Sequence, residues 1–370
     1  MRAFQLTRRR PAWLVGILAV SLVLPLTACT QPSQPADRTE RAQIVAALNA
    51  SIASRDAEAQ RNLLQYLPAA TVERLVANFT QLAAVEFQLD GDNLQVTWNT
   101  AHSRPAHHQL RATMDCRGKV CALTQLSAVP DQPAPIWLLE EITVHEDAAV
   151  SVICGQHCDA AKLSAFASSA LDDVNRGLPA QFRSGWDGRV VVLVPDSASS
   201  FAQTLGSSGE NLTDVAAVSV SFDNMTSSLD AKQTMTAVLT NPGHFTALPQ
   251  AAQRFVLSHE AVHVAAAALG VPAAGRRWVS EGIADHVALA AHPQFAHHAT
   301  QLLRAACPLP TQPPTDGALL TASYQELELA YARSWALIEQ MPQSDWLTLW
   351  WADADWADRQ PNLDVSQLCG

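Results

Sequence analysis

The chain has 370 residues, enough for two domains with a sizeable buried core, which excludes a short peptide and a scaffold held together by disulfides alone. Hydrophobic residues make up 48% and charged residues 16%, a composition that excludes disorder as the main state. The formal net charge is −11 and becomes −15 once the first 28 residues, with four Arg and no acid, are set aside; a nucleic-acid partner is excluded on that balance.

Residues 1–28 open on Arg8, Arg9 and Arg10, run through an apolar stretch from Ala12 to Leu26 and close on small residues, the layout of a secretory signal peptide. The tetrapeptide Leu26-Thr27-Ala28-Cys29 resembles the lipobox of bacterial lipoproteins, which implies that the Cys29 thiol is lipidated and becomes the new N-terminus. More than one acyl chain anchors stably. The expected location is therefore the bacterial cell envelope, extracytoplasmic and lipid-anchored to the membrane. Residues 29–40 comprise this Cys and a Pro-rich polar tether, and no later segment is long and apolar enough to cross a bilayer.

From 41 to 80 apolar residues recur at helical spacing (Ile44, Val45, Leu48, Ile52, then Leu63, Leu64, Leu67), and from 84 to 146 alternation takes over (Leu94, Val96, Trp98; Leu110, Ala112, Met114; Leu123, Ile142, Val144). Helices followed by antiparallel strands predict a small α+β domain over 41–146, with an element order that resembles domains of the nuclear-transport-factor-2-like type. A second domain is expected over 147–370. It reads as a helix (159–178), a buried strand (189–195), a helix, strands at 216–222 and 234–240, and then helices to the end, interrupted by a Pro-rich loop at 308–314. The fold class predicted is α+β throughout.

Six Cys follow Cys29, an even number in an oxidising compartment, so disulfides are expected. Short loops favour Cys116–Cys121 and Cys154–Cys158, leaving Cys307–Cys369. A zinc site at Cys154, His157 and Cys158 is the competing arrangement, without a second Cys/His pair nearby to complete four ligands.

The chemistry concentrates in His259-Glu260-Ala261-Val262-His263, inside an apolar run from Phe255 to Leu269 that reads as a buried helix closed by Gly270. Residues four apart share a helical face, so both imidazoles can address one ion, with Glu260 beside them to take a proton from metal-held water. A tetrahedral zinc with an open position needs a third protein ligand. The metzincin solution is excluded, because Ala266 and Leu269 stand where it needs Gly and His. Eighteen residues beyond His263, however, Glu281 sits in Trp278-Val279-Ser280-Glu281-Gly282-Ile283-Ala284-Asp285.

Together with Leu239–Phe245 and Tyr331-Ala-Arg-Ser-Trp335, these motifs resemble the peptidase-MA-like gluzincins (HExxH…EGxAD) of bacterial lipoproteins over roughly 140–340, although the spacing from His263 to Glu281 is shorter than in the aminopeptidase and thermolysin branches. The resemblance implies a zincin-like domain that is mostly helical with a small sheet. It implies Zn2+ held by His259, His263 and Glu281, with Asp285 fixing the tautomer of His259, and Glu260 as general base. Tyr331 is expected to stabilise the oxyanion, with Tyr324 and His244 as alternatives, and 234–240 to be the edge strand that receives substrate backbone. The function implied is a membrane-anchored zinc metallopeptidase acting on a peptide or protein substrate. The alternative is a non-catalytic zinc-containing lipoprotein that binds a ligand or partner. His286 reads as surface or packing, the pairs His107/His108 and His297/His298 as solvated, and Trp346, Trp350 and Trp351 as core.

Overall fold

The computed structural model describes residues 38–117, 120–206, 215–222, 234–320, 324–352, 364 and 366–369; Cys29 and the signal peptide lie outside them. Three helices come first: α1 (Arg38–Ala53), α2 (Ala57–Leu64), whose first turn is capped by the Asp56 carboxylate accepting from Ala59 N, and α3 (Ala69–Gln81). Their apolar faces pack on an antiparallel meander of β1 (Ala84–Asp90), β2 (Asn93–Asn99), β3 (Ala106–Arg117) and β4 (Val120–Ala128). Strand β2 alternates half-exposed and buried positions, with Leu94, Val96 and Trp98 inward, as a sheet with one wet face requires.

A short helix α4 (Ile136–Leu139) leads into β5 (Thr143–Asp147) and β6 (Val150–Cys154), followed by α5 (Ala160–Gly177), β7 (Val190–Val194), α6 (Ala198–Leu205), β8 (Ala217–Ser221) and β9 (Thr236–Thr240). These five strands form one mixed sheet in the order β5-β6-β7-β9-β8, with β6, β7 and β9 parallel and both outer strands antiparallel. The architecture is α+β. Strand β5 belongs to this second sheet, so the boundary expected at 146/147 falls inside the β5–β6 hairpin. A further correction concerns 234–240. Strand β9 is internal and buried at four of its five positions, while its neighbour β8, with its mixed burial, is the edge on that side. A strand covered on both faces reads as a continuous apolar run, and Ala-Val-Leu in β9 is one.

The second sheet divides two cores. Val190, Val192 and Val194 face the C-terminal helices, whereas Val191 and Leu193 face the N-terminal half. The C-terminal layer comprises a one-turn helix α7 (Pro242–Phe245), then α8 (Gln250–Ala266), α9 (Arg277–Ala291), α10 (Pro293–Ala305), α11 (Tyr324–Glu339), α12 (Trp346–Trp351) and α13 (Ser366–Cys369). Gly270 closes the turn that follows α8, with φ 83°, a positive value that favours glycine. Cys154 is bonded to Cys158 and Cys307 to Cys369, with Cα separations of 5.9 and 5.8 Å, so the sulfurs of the competing 154/157/158 zinc arrangement are already paired. The β3–β4 register sets Cys116 opposite Cys121. Trp346 and Trp350 are core residues, but Trp351 is half-exposed.

His108 corrects the solvated reading. It is fully buried, stacks beside Trp98, lies 5.1 Å from the Phe222 ring and places Nδ1 3.0 Å from Pro133 O. His107, the next residue, turns to the other face and meets Thr97 Oγ1 at 3.0 Å; His297 and His298 are exposed. Burial lowers the His108 pKa to about 4, with the Pro133 hydrogen bond opposing. A folded value below the unfolded one, roughly 6.5, means that the stabilisation is complete above that pH and is lost as pH falls toward 4. The shift corresponds to about 3 kcal/mol. Urea denaturation is expected to show this loss between pH 7 and pH 4, and His108→Phe is expected to flatten that part of the profile.

Candidate metal centre

Helix α8 carries His259, Glu260 and His263, and α9 packs across it with Glu281 and Asp285. Four of the five are buried, and His263 is half-buried. The His259 Nε2, His263 Nε2 and Glu281 Oε2 atoms form a triangle with sides of 3.2, 3.2 and 3.4 Å. Donor atoms around a tetrahedral ion at bond lengths of about 2.0–2.1 Å stand about 3.3–3.4 Å apart, so the set fits zinc in size and in donor chemistry. Among the described residues, this is the group of His, Cys, Asp and Glu side chains able to hold a metal ion.

The outer ring nitrogens are both engaged. His259 Nδ1 lies 2.8 Å from Asp285 Oδ1, and His263 Nδ1 lies 3.2 Å from Ser280 Oγ. A neutral imidazole that donates from Nδ1 turns its Nε2 lone pair inward. Two such lone pairs and a carboxylate oxygen then meet at one point, an arrangement that demands positive charge. The local field has the same sense: against its burial, hydrogen bonds to Asp285 and Glu281 raise the His259 pKa well above the usual imidazole range. Against its own burial, the two imidazoles hold the Glu281 carboxyl well below the usual carboxylate range.

Glu260 is set apart from this triangle. Burial raises its pKa, and the two histidines and the nearby Ser219 backbone of β8 oppose that rise. The edge strand therefore runs beside the candidate base, which no feature of 217–221 in the sequence indicates. Tyr331, on α11, has its ring 5.9 Å from that of His259; burial and the charges of Glu281, Glu260 and Asp285 keep it a neutral phenol. His244 is exposed on α7, and the Tyr324 side chain lies outside the described residues.

Gly282 explains how Tyr331 comes so close. A Cβ there would lie 2.5 Å from Ser334 O and 2.7 Å from Ile338 Cγ1, so only glycine lets α11 lie against α9 at this depth. Gly282→Ala is expected to displace α11, cost about 1–3 kcal/mol in a denaturant titration, and move Tyr331 away from the centre. His286 packs 4.9 Å from the Trp346 ring and pairs with Glu339, away from the triangle. One residue before His259, Ser258 Oγ donates to Asp173 Oδ2 at 2.6 Å and lies 3.2 Å from His292 Nε2. This serine is buried and its proton is committed to Asp173, so the cluster ties α8 to α5 and the end of α9 and offers no nucleophile.

Ser280 and Arg277 are the site residues that the sequence reading does not single out. Arg277 Nε lies 3.3 Å from Glu281 Oε1, the oxygen turned away from the histidines. No protein-family model matches the chain, and no curated protein or solved structure does either.

Proposed function

We propose that the protein is a gluzincin-type zinc metallopeptidase, held by lipid on Cys29 at the extracytoplasmic face of a bacterial membrane. The observation that carries this reading is the donor triangle of His259, His263 and Glu281 with a buried carboxylate, Glu260, beside it but outside it. A zinc ion bound by those three residues supplies Lewis-acid polarisation of a peptide carbonyl and acidifies water. Glu260 takes the proton of the attacking water and returns it to the leaving amine, so that the new C–O bond and the broken C–N bond balance. Burial raises its pKa above the usual carboxylate range, which makes it a stronger base than an exposed carboxylate. Asp285 and Ser280 hold the imidazoles in the ligating tautomer. Tyr331, as a neutral phenol, donates a hydrogen bond to the developing oxyanion. An extended peptide lies along edge strand β8, beside Glu260.

The test is metal analysis of the purified mature protein combined with cleavage of a broad peptide panel. One zinc per chain and chelator-sensitive cleavage are expected. Stoichiometric zinc with no cleavage of any peptide would transfer the protein to the non-catalytic alternative.

A further inference from the structure

Arg276 precedes helix α9 and Arg277 opens it, and the helix has no acid in its first turn. Cations at a helix N-terminus oppose the macrodipole, and an Arg preceding Glu by four residues is the weaker orientation of that pair. Helix stability therefore does not account for Arg277. The terminus is served instead by Asp316, whose carboxylate accepts from Gly275 N at 2.8 Å and Arg277 N at 3.1 Å, leaving the guanidinium free of any capping task.

That guanidinium reaches the candidate metal ligand. Arg277 Nε stands 3.3 Å from Glu281 Oε1 as an ion pair without hydrogen-bond geometry, and the side chain is 42% exposed while Glu281 is buried. The two oxygens of Glu281 thus have different neighbours: Oε2 meets the two histidine nitrogens, and Oε1 meets the arginine.

We propose that Arg277 is a positioning residue that makes Glu281 a one-oxygen metal ligand and so keeps the fourth coordination position open for substrate. The inference rests on the zinc-site reading above. A carboxylate with both oxygens free can rotate to chelate the ion through both and fill the position that the reaction needs. A cation at Oε1 disfavours that rotation, because it would break the ion pair beside a buried charge.

Cobalt(II), whose visible absorption is intense in four-coordinate and weak in higher-coordinate sites, is the probe. The wild-type protein is expected to bind one cobalt with the four-coordinate spectrum. Arg277→Gln is expected to shift it to the weaker spectrum and to lower cobalt affinity about 10-fold. Arg277→Lys keeps a point charge without the planar fork and should restore the wild-type spectrum in part. A wild-type spectrum and affinity in Arg277→Gln would overturn this inference and leave the metal site standing. Failure of the wild-type protein to bind cobalt would overturn both.

Discussion

Glu260→Gln is expected to keep one zinc per chain and to lose turnover on the order of 10²–10⁴-fold, the contribution typical of a positioned general base. The amide has nearly the shape of the carboxylate and cannot accept the proton. Because Glu260 lies outside the donor triangle, the metal should be indifferent to the change. His259→Ala, His263→Ala and Glu281→Ala each remove a corner of the triangle and should lose metal and turnover together. Metal content and peptide cleavage measured on the same preparations separate the two classes. Loss of zinc in Glu260→Gln would mean that the coordination sphere has been misassigned.

Asp285→Asn is expected to weaken zinc affinity about 10–100-fold, read by competition with a chromogenic chelator. The carboxylate 2.8 Å from His259 Nδ1 both orients the ring and raises the basicity of its other nitrogen, and an amide forfeits the charge. Ser280→Ala should fall below that range, because a neutral hydroxyl 3.2 Å from His263 Nδ1 contributes orientation without charge. Equal losses in the two variants would show that orientation alone governs affinity.

The parts of this site legible in the sequence are those set by the helical period. Four-residue spacing puts His259 and His263 on one face, and the same spacing puts Asp285 one turn beyond Glu281. Ser280 and Arg277 were not legible for the same reason, since a periodic pattern shows which face a residue shares and not which neighbour its side chain selects across two helices. Strand parity distinguishes the two neighbouring histidines of β3. His108 has the parity of Ala106, Leu110 and Ala112, all buried, and so belongs to the inner face with them, whereas His107 sits with Gln109. The edge of the second sheet was open to the same argument, because the continuous run Ala237-Val238-Leu239 marks β9 as central and the alternation Val218-Ser219-Val220-Ser221 marks β8 as an edge. The position of β5 was not, since a short strand pairs with whichever neighbour the tertiary fold brings to it.

The central claim is that two imidazoles and one carboxylate hold a zinc ion. X-ray absorption at the zinc edge of the protein as purified reports that ligand set directly. Two imidazole nitrogens and light-atom neighbours at about 2.0–2.1 Å are expected, with no sulfur. Sulfur scattering at about 2.3 Å, or a shell without imidazole, would contradict it.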